Sequence, residues 1–220
     1  GTEAFRTLRT TLSLLGSEES RRTFLFTSAV PEEGKTFCAV NFAGSLAQQG
    51  RRTLLIECDL RAPAMEAALA VDNPGVAGVA DYLLGQQKFS QVVYPTELEN
   101  LSYIPAGSRV PNPSELLAQD AVAAMIKEAL ALFDRVVIDS APIQPVSDTL
   151  LLVQRVQTVC MVIRANKTPR KIIQRSAHIL QKSKAPLAGI VLNRLSQARR
   201  DPYYDYSYYS SYAENPADKG

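Results

Sequence analysis

A lysine, a threonine and three carboxylates in this chain are spaced for chemistry on phosphate. The run SAVPEEGKT, residues 28–36, ends in Gly34, Lys35 and Thr36, and LLIECDLR carries Glu57 and Asp59 two positions apart. A third acid, Asp139, closes the apolar run VVIDSAP. A glycine lets the backbone approach a phosphate closely, and amides at a helix N-terminus donate to it. A lysine placed there would bridge the β- and γ-phosphates, and a hydroxyl near carboxylates supplies the oxygen ligands that Mg2+ takes. The strict motif G-x-x-x-x-G-K-[ST] fails at one place, where Ala29 stands for its first glycine. Taken alone, the run also reads as an ordinary strand-to-helix turn, and a single strand-end acid also reads as a solvated cap.

The elements around these residues weigh against the plainer reading. SRRTFLFTS (20–28) reads as a strand entering the turn, and Lys35–Gln49 is an Ala-rich apolar helix closed by Gly50. RTLLIECD, DRVVIDS, QTVCMVIRA and PLAGIVLNRL are further apolar strands, and LSYIPAG a shorter one. Helices are expected over Thr2–Leu15, GVADYLLG, Pro113–Phe133, VSDTLLLVQRV and Thr168–Lys182. Strands that alternate with helices and are apolar on both sides predict an α/β fold of the P-loop NTPase type. Its mostly parallel sheet would carry helices on both faces in three layers. In such a sheet the strand C-termini share one edge, where ligands bind. That edge would bring Glu57, Asp59 and Asp139 to face the loop at Lys35, the arrangement of a Mg2+–nucleotide site.

Composition narrows the function classes. The chain has 220 residues, 46% hydrophobic and 21% charged, with a formal net charge of +2, so bulk charge does not argue for a nucleic-acid or membrane-surface binder. Cys38, Cys58 and Cys160 each lie in an apolar run, so they read as reduced, buried thiols; a redox switch is the alternative. No run approaches the roughly 20 apolar residues of a membrane helix, and no signal peptide is visible. The chain begins inside a helical pattern, so it reads as a fragment that leaves an upstream membrane segment open. Residues 196–220 are polar and hold six of the nine tyrosines, at Tyr203, Tyr204, Tyr206, Tyr208, Tyr209 and Tyr212. They are expected to form a mobile tail beyond a domain spanning 1–195.

These motifs together resemble the bacterial tyrosine kinases (BY-kinases) that regulate capsule and exopolysaccharide export, over nearly the whole chain. TSAVPEEGKT (27–36) fits the family's T-S-x-x-P-x-E-G-K-[ST], with Glu32 where the family usually has glycine. ECDLR fits its strand-borne D-x-D-x-R at Asp59 and Arg61, with Glu57 replacing the first aspartate. VVIDSAP matches Walker B at Asp139, and AGSRVPNPSELL (106–117) is similar to the family's PAG…PNPSELL. Glu3, Arg6 and Arg9 fit its N-terminal E-x-x-R-x-x-R.

The resemblance implies an ATP- and Mg2+-dependent protein-tyrosine autokinase. Lys35 would stabilise the transferring phosphoryl charge, and Thr36, Asp59 and Asp139 would organise Mg2+. Glu57 would orient or deprotonate the incoming phenol. ATP would be bound by Val30, Pro31, Glu32, Glu33 and Gly34, by Lys35, Thr36 and Phe37, and by Asn193 near the base. The six tail tyrosines would accept phosphate in trans between subunits of a ring, with Glu3, Arg6 and Arg9 at the contact. Phosphorylation would loosen the ring, since each phosphate adds about −1.5 to −2 charge. A membrane co-polymerase or activator segment, fused upstream or separate, and a cognate tyrosine phosphatase would be partners; nucleic acid would not. The chain would work in the cytoplasm, at the inner face of the cell membrane. Glu3, Arg6 and Arg9 also read as a solvated helix face, and the tail as a sticky or partner-binding stretch. The basic stretch KTPRKIIQR (167–175) is a solvated face or a dock for the tail. Two other functions stay open: an ATPase switch of the partitioning and septum-placement type, whose signature lysine would fall at Val30, and a nucleotide-binding scaffold with weak or no kinase activity.

Overall fold

Continuous apolar runs produce strands buried on both faces, and the architecture follows from them. The structure, a computed structural model, describes residues 2–17, 19–71 and 75–195. Its strands are β1 (Thr23–Ser28), β2 (Thr53–Glu57), β3 (Tyr94–Pro95), β4 (Leu101–Ile104), β5 (Arg135–Asp139), β6 (Thr158–Arg164) and β7 (Leu187–Asn193). They form one sheet in the order β3-β4-β2-β5-β1-β6-β7, parallel throughout except for the β3–β4 pair. The expected α/β fold with a mostly parallel sheet is present.

Side-chain alternation along each strand divides the core into two. On one face, Phe24, Phe26, Leu55, Val137 and Cys160 pack against α1 (Thr2–Leu14), α2 (Lys35–Ala47) and Met65 of α3 (Met65–Leu69). On the other face, Leu25, Ile56, Ile138 and Met161 pack against the remaining helices. These are α4 (Val79–Leu83), α5 (Phe89–Val92), α6 (Pro113–Leu117), α7 (Ala121–Leu132), α8 (Asp148–Leu152) and α9 (Arg170–Lys182). All three cysteines are free and buried within these cores, and burial pushes the Cys38 thiol up to about 12.

Two helices differ from expectation. Pro113–Phe133 is not one helix but two, α6 and α7, interrupted at 118–120. The guanidinium of Arg155 donates to the carbonyls of Leu117, Ala118 and Gln119, at 3.2, 3.1 and 2.8 Å. A side chain remote in sequence thus satisfies the carbonyls that a continuous helix would have bonded internally. VSDTLLLVQRV is shorter than expected, with α8 passing into a 3-10 turn at Val153–Arg155. The short elements α3, α5 and β3 carry no periodic signal long enough to read. No helix among the described residues is long and apolar enough to cross a membrane. The expected tail, residues 196–220 with its six tyrosines, lies outside the described residues.

Candidate nucleotide-binding site

The sheet order places β2, β5 and β1 side by side, so the motifs at their C-terminal ends converge. Glu57 and Asp139 are register partners, and Phe26 pairs with Asp139 on its other side. The amide of Cys58 donates to the Asp139 carbonyl at 2.7 Å. Partners in register on parallel strands face the same way, so Glu57 and Asp139 point to the α2 face.

The turn from β1 to α2 is built around its own side chains. Glu33 is buried; one oxygen accepts from the Val30 amide at 2.9 Å, and the other from the Thr168 hydroxyl and the Arg164 amide. Asn193, at the end of β7, donates to the Glu33 carbonyl at 2.9 Å. Gly34 has a φ of 88°, and a Cβ there would lie 2.2 Å from Asn193 Nδ2. Glycine is therefore required twice, by the left-handed backbone and by the close approach of Asn193. Glu32 also adopts a positive φ, 64°, at the position where the family pattern has glycine.

Lys35 opens α2 and reaches across the strand ends. Its Nζ lies 2.8 Å from Asp59 Oδ2 and 3.5 Å from Asp139 Oδ2. Thr36 donates to Asp139 Oδ2 at 2.5 Å. Burial pulls the Lys35 pKa down, but Asp139, Asp59 and Glu57 together outweigh it and hold the ammonium above its usual range. Burial pushes Asp139 up to about 6 against the opposing pull of Lys35.

Asp139 Oδ1 is buried and has no hydrogen-bond partner among the described residues. An orphaned carboxylate oxygen is costly unless something meets it. Beside Thr36 and Asp59 it forms a hard oxygen donor set suited to Mg2+. Among the described residues no three acidic, histidine or cysteine side chains could hold an ion by themselves.

A cleft of about 690 Å3 opens over this cluster, bordered by Pro31, Glu32, Gly34, Lys35, Thr36 and Asp59. Val30 and Glu33 lie behind it, committed to folding the loop, and Asn193 braces the loop through Glu33. Phe37 is also outside the cleft's lining; it is half exposed and meets Phe5 of α1 edge-on at 5.9 Å. Glu57 is placed differently from expectation. It is 1% exposed and does not line the cleft. Its Oε1 accepts from the amides of Ala64 and, at 2.9 Å, Met65, which caps the start of α3. Burial raises it to about 7 despite these two amides. On α1, Glu3 and Arg6 form an exposed pair at 3.4 Å, whereas Arg9 donates to the Ser45 carbonyl of α2 within the same chain.

Sequence reasoning missed a second network at the cleft's rim. Arg61 Nε and Nη2 grip Asp148 at 2.7 and 3.2 Å, and Nη2 also donates to Ser114 Oγ at 2.9 Å. Ser114 in turn donates to Asp148. The arginine was legible as a motif position; its partners, 53 and 87 positions away, had no local signal.

The family model of an AAA domain matches residues 32–179. The chain is 31% identical over 204 residues to the putative tyrosine-protein kinase CapB of Staphylococcus aureus, covering 93% of this chain and 89% of that one. It is 33% identical to the tyrosine-protein kinase wzc of Salmonella typhimurium over 94% of this chain, but spans only 28% of that relative's length. The solved kinase domain of Escherichia coli tyrosine kinase ETK superposes with a TM-score of 0.82 at 29% identity, covering 89% of this chain and 77% of that one.

Proposed function

The chain belongs to the bacterial tyrosine kinases, and on that premise we propose that it transfers the γ-phosphoryl group of ATP to the tyrosines of its own C-terminal stretch, in trans between subunits. The observation that carries this reading is the convergence of Lys35, Thr36 and Asp59 on one cleft at the strand C-termini, with Asp139 buried against Lys35 and Thr36. The phenolic oxygen bonds to the γ-phosphorus, the bond from phosphorus to the bridging oxygen breaks, and ADP leaves. The phenol's proton passes to a carboxylate. Glu57 is the proposed acceptor; its carboxylate is held on the Ala64 and Met65 amides outside the cleft's lining, so the role requires it to leave them and turn into the cleft.

Thr36, Asp59 and Asp139 would hold Mg2+, which when bound neutralises phosphate charge. Lys35 supplies a buried ammonium, its charged form favoured by Asp139, Asp59 and Glu57, for the charge that develops on the phosphoryl oxygens. Gly34 and the loop around it present backbone to the phosphates. Tyr203, Tyr204, Tyr206, Tyr208, Tyr209 and Tyr212 are the proposed acceptors. Ring assembly through Glu3, Arg6 and Arg9, its loosening by phosphorylation, and control of polysaccharide polymerisation and export complete the reading. So do a membrane activator segment, a cognate phosphatase, and work at the inner face of the cell membrane. The reading is supported by the names of the relatives and by the exposed Glu3–Arg6 pair on α1.

A second reading, a nucleotide-binding scaffold or switch with little kinase activity, is favoured by one observation. Glu57 serves α3 as a cap and does not line the cleft. Intact-protein mass spectrometry with and without Mg·ATP, beside Lys35→Met, separates the two. Mass steps of one phosphate that map to Tyr203–Tyr212 and vanish in Lys35→Met are expected. ATP binding without any mass step would leave the scaffold.

A further inference from the structure

Charge is divided unevenly along the sequence. From Thr149 to Arg200 there are eleven lysines and arginines and no aspartate or glutamate, so the small overall charge hides a basic stretch in an otherwise acidic chain. The fold gathers part of that stretch on one surface. α9 sets Ile172, Ile173, Ala177, Ile179 and Leu180 on the core. Its Arg170, Lys171, Arg175 and Lys182 are exposed, and at 3.6 residues per turn they fall within an arc of about 140°. Lys167 and Lys184 stand exposed just beyond its two ends. None of these six cations makes an ion pair or a side-chain hydrogen bond among the described residues. Arg170 and Lys171 even sit in the first turn, which holds no acid and where the helix dipole disfavours a cation. Nothing in the helix itself rewards that placement.

Aliphatic surface adjoins this face. β7 is the last strand of the sheet, and its Ile190 and Leu192 are register partners of Met161 and Ile163. They therefore point to the sheet face that carries α9. The helix does not cover them: they are 46% and 48% exposed, and Leu195 just beyond the strand is 66% exposed. Sheet edges are ordinarily blunted by charge or by a covering element. This one sets bare aliphatic side chains beside a row of cations.

We propose that the face formed by α9 and β7 docks on a bilayer of anionic lipid: the six cations take the headgroup phosphates, and Ile190, Leu192 and Leu195 enter the boundary between headgroups and acyl chains. Charge complementarity selects an anionic partner. The aliphatic edge selects lipid over nucleic acid, whose backbone gives those side chains nothing to meet. The inference does not depend on the kinase reading. It adds to the proposed membrane location a face by which this chain itself meets lipid.

The test sediments the full chain with vesicles of phosphatidylcholine alone, and with vesicles in which about one third of the lipid is phosphatidylglycerol. Binding is expected to the anionic vesicles only. It should be lost as salt rises from about 0.1 to 1 M, where the screening length falls from about 10 to 3 Å. Arg170→Gln with Lys171→Gln should weaken it about 20-fold, near fivefold per cation. Lys88→Gln with Lys127→Gln removes two exposed cations beside α5 and on α7, and should change it by less than about twofold. Ile190→Thr with Leu192→Thr should weaken binding severalfold and keep its salt dependence. Circular dichroism melts report that each variant is folded.

No binding to anionic vesicles, equal binding to both vesicles, equal loss in the two charge pairs, or binding indifferent to the β7 pair overturns the proposal. A labelled DNA duplex is run in parallel. Duplex binding that depends on Arg170 and Lys171, from a chain that ignores the vesicles, overturns it as well and makes the face a nucleic-acid site.

Discussion

Glu57 shows how one side chain's length can change its task. The family pattern has aspartate there, and the chain keeps the carboxylate one methylene further out. The structure uses that reach to bring Oε1 onto the amides of Ala64 and Met65 at the start of α3. Restoring the family residue is therefore expected to harm this fold. Glu57→Asp should cost about 1–2 kcal/mol in urea denaturation, because the Ala64 amide and the buried Met65 amide lose their acceptor. An unchanged midpoint would show that the cap holds nothing. The types and spacing of Lys35, Thr36, Asp59 and Asp139 were legible because each lies in a short run whose pattern is local. The direction of Glu57 was not, because it depends on where α3 lies, seven positions further along the chain.

At the scale of elements, the segment that resembles PAG…PNPSELL joins α4 to the strand edge. Asp81 accepts from the Gly78 and Ser108 amides at 2.7 and 3.1 Å and from the Ser108 hydroxyl at 2.6 Å. Gly107 has a φ of 79°, and a Cβ on it would lie 2.2 Å from Asp81 Oδ2 and 2.5 Å from the Gly78 nitrogen. Gly85 has a φ of 70° and nothing within 4 Å of its Cβ position. The pair separates backbone strain from collision. Gly85→Ala should cost about 1 kcal/mol, the left-handed penalty alone. Gly107→Ala should cost at least about 2 kcal/mol more, and a background lacking the Asp81 carboxylate should recover only part of the excess, because the Gly78 backbone still lies 2.5 Å from the added Cβ. Comparable losses at both sites in thermal melts would refute the collision. The glycines were visible in sequence as turn signals, but only packing distinguishes a glycine in open space from one pressed against a carboxylate.

Across the whole molecule, Arg61, Ser114 and Asp148 tie together the loop after β2, the start of α6 and the start of α8. Burial alone would raise the Asp148 pKa, but its bonds from Arg61 and Ser114 more than offset that and hold it below the usual aspartate range. A carboxylate whose folded pKa is depressed stabilises the fold above its unfolded value of about 3.9, and that contribution is lost as pH falls through the folded value. Asp148→Asn should accordingly lower the melting temperature at pH 5 to 7, with a loss of about 1–2 kcal/mol, and the gap to the unsubstituted chain should close below roughly pH 4. A gap that is constant with pH would mean that packing, not charge, holds the junction. The sequence by itself determined the parallel α/β sheet, the phosphate loop and the three strand-end acids, because continuous apolar runs, helical periods and loop motifs are properties of neighbouring residues. Only the tertiary structure decided that Glu57 turns to cap α3, that Arg155 divides α6 from α7, and that Arg61 is clamped to Asp148. Each of these depends on side chains brought together by strand order and helix packing, and no local pattern encodes which distant residue will meet a given donor.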